Sequence, residues 1–189
     1  MQRMIINILL FQATWFAAIF GAAQGHAWPG PLFATITLVI HLLMRTHRAV
    51  EARLVLSCAL IGFVVDCLWA RLGILSFAAE MPRSWPCPLW MLSIWIGFAT
   101  TLNGGLARLQ RRFLLAAVIG GVSGPIAYSA AESIGAILIH GSRVPALCLI
   151  GGGYAVLLPI MLRLASACVK RRGAVGNACV IASTAEARA

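Results

Sequence analysis

The sequence predicts an all-α integral membrane protein with six transmembrane helices, which can also be read as three helical hairpins. Three observations predict it: an apolar composition, six long apolar runs, and arginines gathered at every second connection. Of the 189 residues, 61% are hydrophobic and only 11% charged, and the mean hydropathy is +0.91. A soluble domain of this length is about half apolar and about a quarter charged. That much apolar surface cannot be hidden in one core, so the expected solvent is lipid.

The runs follow in order. Met4–Ala23 is the first, and its Arg3 start leaves a cleaved signal peptide as the competing reading. Its length, with Gln12 and Trp15 inside, favours a retained helix. Trp28–Leu43 is shorter and opens on "WPGPL". Leu54–Phe77 is the third, and Pro88–Leu106, the fourth, follows the similar "WPCPL" of Trp85–Leu89. Phe113–Ala131 and Pro145–Leu164 complete the set, and the apolar piece Ser133–Ile139 is too short to span alone. It would extend a tilted fifth helix or lie at the interface. Tryptophan suits the headgroup level and proline the first helical turn, so both "WP" stretches read as helix starts on one side.

A threefold hairpin repeat is the sharper reading of these stretches. Each odd-numbered run ends near a glycine, at Gly21, Gly73 and Gly135, and "LGIL" at Leu72–Leu75 resembles "IGAIL" at Ile134–Leu138. A proline-headed return helix follows each one.

Arginine and lysine set the orientation. Arg3, Arg45, Arg48, Arg53, Arg108, Arg111, Arg112, Lys170, Arg171 and Arg172 fall on one side, against Arg71, Arg83 and Arg143 on the other. Both termini are therefore expected in the cytoplasm, with the chain in the inner membrane. Residues 1–169 form the six-helix domain, followed by a basic, then disordered, tail at 170–189. The net charge of +10 reflects this asymmetry, so the expected partner is the bilayer and not nucleic acid. The six cysteines and four histidines show no metal-ligand spacing, and no cofactor or metal is expected.

Asp66 is the most informative residue. A charged carboxylate near mid-span costs about 2.5–3.5 kcal/mol on insertion scales. Ala59, Gly62, Asp66, Trp69 and Gly73 share one helix face of mostly small residues, so Asp66 is expected to point into the bundle, hydrogen-bonded or protonated. Gln12 with Trp15, Asn103 in the fourth run and Tyr128 in the fifth are its candidate partners, with Trp95 grouped among them. Gly120 and Gly124 form a close-packing pair beside Pro125, whose ring frees a backbone carbonyl that Ser123 is placed to satisfy. Glu132 and Arg71 are read as a pair at the outer ends of their helices. A polar clamp between helices and a substrate or proton site both fit these residues.

The runs "LGILSF", "PLWMLSIWIGFATTLN" and "GGVSGPIAYSAAESIGA" resemble an uncharacterised bacterial membrane family, domain of unknown function 2878. On that resemblance Phe11, Gln12 and Trp15 match its first-span signature, and Asp66 precedes its Gly-x-Leu-x-Phe element at Gly73–Phe77. Pro88, Leu89, Trp90, Trp95, Phe98, Thr101, Leu102 and Asn103 match its central block, and Gly120–Tyr128 loosely matches the last element. Two departures are Gly104-Gly105, where the family continues with histidine and serine, and Glu132, where it has a small or apolar residue. The family carries no activity to transfer. The function classes left open are a transporter or proton-coupled carrier, an enzyme acting on a lipophilic substrate, and an accessory subunit bound to a membrane partner protein. Catalytic residues are not assignable from the sequence.

Overall fold

The computed structural model describes residues 2–79 and 87–186, with side chains as far as Val169. Among the described residues, helices occupy all six apolar runs: α1 (Gln2–Ala23), α2 (Pro29–Leu43), α3 (Arg48–Arg71), α4 (Leu89–Thr100), α5 (Phe113–Ile134) and α6 (Arg143–Glu186). Four are long and apolar enough to cross a membrane: α1, α3, α5 and the Arg143–Val169 stretch of α6. The other two have 15 and 12 residues. At 1.5 Å per residue they reach only about 22 and about 18 Å, short of a hydrocarbon core of about 30 Å.

The all-α class holds, with one local departure from the expected runs. A two-stranded antiparallel ribbon, β1 (Leu75–Phe77) with β2 (Ile137–Ile139), joins the ends of α3 and α5. Leu75 lies opposite Ile139 and Phe77 opposite Ile137. The run expected to be helical through Phe77 therefore stops at Arg71, and of the piece Ser133–Ile139 only Ser133 and Ile134 extend α5, while Ile137–Ile139 forms β2. The physical reason is a glycine cap at each helix end. Gly73 (φ 70°) and Gly135 (φ 90°) adopt the left-handed conformation that side chains disfavour. Ile74 N–H then donates to Trp69 O and Gly73 N–H to Ala70 O, while Ala136 and Gly135 repeat both bonds onto Ala131 and Glu132. This paired capping pattern ends a helix sharply.

A third copy of the cap closes α1, formed by His26 N–H to Gly21 O and Gly25 N–H to Ala22 O. The left-handed residue there is Gly25, not Gly21. Gly21 serves the hairpin differently, because a Cβ on it would stand 2.8 Å from Pro29 Cγ.

The fourth run also ends early. Thr100 and Thr101 hydroxyls turn back onto Gly97 O and Phe98 O, both at 2.7 Å, and a turn then leads to a short 3-10 helix, Ala107–Arg111. At its other end α3 begins six residues sooner than Leu54, which draws Glu51 into the helix. Helix α6 continues through the segment read as a tail, as far as Glu186. Trp85, Pro86 and Arg83 lie outside the described residues.

The short α4 packs against α1, α2 and α3, with Trp90, Met91, Ser93, Trp95, Gly97, Ala99 and Thr100 all buried. Helices α5 and α6 pack mainly on each other. Leu114 (85% exposed), Val144, Leu149 and Val156 stand on the outer surfaces of this pair, an apolar exterior that lipid would solvate.

Candidate functional site

The site grows from one face of α3. Asp66 is fully buried, and each of its oxygens accepts one bond. Trp95 Nε1–H of α4 donates to Oδ2 at 2.6 Å, and the Tyr128 hydroxyl of α5 donates to Oδ1. The Tyr154 hydroxyl of α6 donates to the Tyr128 oxygen at 3.3 Å. Four helices thus meet in one relay, running from Tyr154 through Tyr128 to Asp66, with Trp95 on the other carboxylate oxygen. An ionised carboxylate is acceptor-only, and here both oxygens find a donor.

Missing side chains make this approach feasible. Any Cβ on Gly62, one turn before Asp66, would collide with the Trp95 ring, 2.5 Å or less from three of its carbons. A Cβ on Gly153 would stand 2.7 Å from Trp69 Cζ2, and one on Gly124 would stand 2.7 Å from Tyr154 Cγ. The rings then order themselves: Trp95 stacks on Tyr154 at 5.6 Å, and Tyr128 meets Tyr154 edge-on at 5.8 Å. Offset and edge contacts of this kind suit the ring quadrupoles.

Beside the relay lies a cavity of about 500 Å³ between α1, α4, α5 and α6. Its wall is apolar and aromatic, including Phe11, Trp15, Phe98, Ile126 and Met161. The polar side chains that reach it are Gln12, Trp15, Trp95, Ser123, Tyr128 and Tyr154. Asp66 is not part of the lining, because Trp95 and Tyr128 stand in front of it. Both tyrosines line the cavity, and the carboxylate bonds to the Tyr128 hydroxyl from outside the lining.

The sequence candidates therefore divide. Asp66, Trp95 and Tyr128 bond directly, and Gln12 and Trp15 share the cavity with the last two. Asn103 is elsewhere. Its Nδ2 donates to Glu51 Oε1 at 3.2 Å, and its Oδ1 accepts from Gln110 Nε2 at 3.0 Å, at the arginine-rich end of the bundle. That separation follows from length, since α4 has already ended three residues before Asn103.

Gly120, Gly124 and Pro125 lie in the α5–α6 seam, where Gly120 faces the Tyr154 backbone and Pro125 Cγ would stand 3.1 Å from a Cβ on Gly151. Ser123 donates to Gly120 O at 3.4 Å and leaves the Gly121 carbonyl, freed by Pro125, facing Gly151. Glu132 pairs with Arg143 and accepts from Ile139 N–H at 3.0 Å, so its partner is not Arg71.

Three participants escaped the sequence reading. Tyr154 was detectable, because the chain has only two tyrosines and both lie in apolar runs. Glu51 was hidden by a helix boundary, being 1% exposed although it looked like part of a connecting loop, whereas His41 lay inside the second run and is fully buried on α2. Among the described residues, no three His, Cys, Asp or Glu side chains come together as a metal site.

A family profile, described as "Protein of unknown function (DUF2878)", matches residues 4–160. The chain belongs to the DUF2878 family. The DUF2878 match includes every member of the relay, Tyr154 among them, and ends inside α6. No curated protein and no solved structure matches the chain.

Proposed function

We propose that this DUF2878 member is a multi-pass protein of the bacterial inner membrane that binds a lipophilic ligand in the cavity beside Asp66. The supporting observation is an apolar cavity whose few polar groups converge on one relay, the usual pattern of a small-molecule site. Six membrane segments in three hairpins, with both termini cytoplasmic, agree with the arginine distribution and with the common glycine cap of α1, α3 and α5. In such a packing the short α2 and α4 are shielded by longer neighbours. The cavity lies where α1 and α5 make little contact, a gap through which a ligand would enter sideways from the bilayer.

The direction of the hydrogen bonds narrows the ligand. Tyr154 spends its proton on Tyr128, and Tyr128 spends its own on Asp66. The Tyr154 oxygen therefore keeps its lone pairs for a ligand that reaches it from the cavity its side chain lines. It suits a mostly apolar molecule that carries a hydroxyl or N–H donor. The unbroken relay also favours an enzymatic reading, in which Asp66 takes a proton through Tyr128 while Tyr154 contacts the substrate. A carrier whose carboxylate meets its cargo fits less well, because Asp66 stands behind two rings.

Ala127 lines the cavity, so Ala127→Trp places an indole in it and narrows it. Mass spectrometry of protein purified in mild detergent is expected to find a lipophilic ligand with the wild type and not with Ala127→Trp. Asp66→Asn is expected to fold and yet fail to complement a deletion strain. Full complementation by a well-folded Asp66→Leu would leave only an accessory, packing role.

A further inference from the structure

We infer that the occupant of the cavity is an uncharged lipid built around a secondary amide, held by Gln12 and Trp15 through its carbonyl and by Tyr154 through its N–H. The inference rests on the cavity reading proposed above and adds the chemical class of the ligand. Among the described residues no acidic or basic side chain lines the cavity, so a charged head would be buried there without a counter-charge. The volume of about 500 Å³ sets the size. It holds about 15 to 20 non-hydrogen atoms, at the roughly 30 Å³ that a water-sized group occupies in a liquid.

The inventory of donors and acceptors decides the polar part. Four polar side chains of the wall have committed their protons: Trp95 and Tyr128 to Asp66, Tyr154 to Tyr128, and Ser123 to Gly120 O. The other two, Gln12 and Trp15, lie three residues apart on one face of α1. Neither has a hydrogen-bond partner among the described residues. Gln12 is also exposed, in the middle of a helix long and apolar enough to cross a membrane. A side-chain amide left unpaired at that depth is costly in lipid, and such residues mark ligand contacts.

The two walls make different demands. The Trp15 indole only donates, and Gln12 donates through Nε2, so α1 calls for an acceptor. The Tyr154 oxygen of α6 has its proton committed to Tyr128 and calls for a donor. Helices α1 and α6 barely touch, so these demands fall on separate walls. A secondary amide is planar and trans, and its C=O and N–H point in opposite directions. One rigid group therefore answers both walls. An ester lacks the donor, and a single hydroxyl places donor and acceptor on the same atom.

The test is competition for binding of tritiated N-decylbutanamide to the full-length protein in mild detergent. The competitors are the unlabelled amide, the isosteric ester decyl butanoate, and pentadecan-1-ol. In the wild type the ester is expected to compete at least about tenfold more weakly than the amide. In Tyr154→Phe that ratio is expected to shrink at least about threefold, a comparison in which partition into micelles cancels. An ester or alcohol that matches the amide overturns the inference, as does a ratio that Tyr154→Phe leaves alone. Should that variant not fold, Gln12→Leu is expected to weaken amide and ester alike at least about fivefold, and unchanged binding there is equally decisive. Two outcomes separate this inference from the reading beneath it. If the wild type ignores the amide yet carries a lipophilic molecule that Ala127→Trp loses, only the amide class falls. If Ala127→Trp binds the amide as the wild type does, the cavity reading falls and the inference with it.

Discussion

Asp66 divides its two oxygens between an indole N–H and a phenol O–H, and this division ranks the residues around it. Tyr128→Phe leaves Oδ1 without its donor in a dry seam and is expected to cost about 1–3 kcal/mol. Tyr154→Phe removes a longer bond between neutral groups and is expected to cost about 0.6 kcal/mol, the usual worth of an interhelical hydrogen bond in a membrane. Unfolding in detergent titrated with SDS measures both, and equal losses would contradict the ranking. The inward direction of Asp66 was legible, because Gly62 and Trp69 share its face and a lipid-facing carboxylate is costly. Its partners were not, because they sit on three other helices whose rotation no local pattern specifies.

The helix ends hold the clearest test at the scale of single elements. "LGIL" and "IGAIL" look like a chance likeness in apolar sequence, yet their segments cap two helices alike and then pair as strands. Gly73→Ala and Gly135→Ala are each expected to destabilise by about 1–2 kcal/mol, since alanine resists the left-handed conformation. Gly152→Ala is the control: its position in α6 has open space, and helix propensity favours alanine there by about 0.5–1 kcal/mol. Thermal unfolding in detergent compares all three. The strands themselves were not legible, because three apolar residues after a helix look like more of the same helix.

For the whole molecule, topology and packing make separate predictions. A reporter fused after Arg172 is expected to be active only as a cytoplasmic enzyme, as the arginine distribution requires. Cys87, at the opposite end of the bundle just before α4, is fully buried, and burial pushes its thiol well above the usual range. A membrane-impermeant maleimide is expected to label Cys87 only after SDS unfolding. Ready labelling of the folded protein would mean that this end of the bundle is open.

The sequence alone determined the apolar class, the six helical runs and the inward carboxylate, because hydropathy, proline and charge act within a few residues of where they stand. Tertiary structure decided the rest. It shortened α4, paired the ends of α3 and α5 as strands, joined both tyrosines in one relay to Asp66 and moved Asn103 to Glu51. Those outcomes depend on which helix faces meet, and small residues such as Gly62, Gly124 and Gly153 set that by letting one ring approach one backbone.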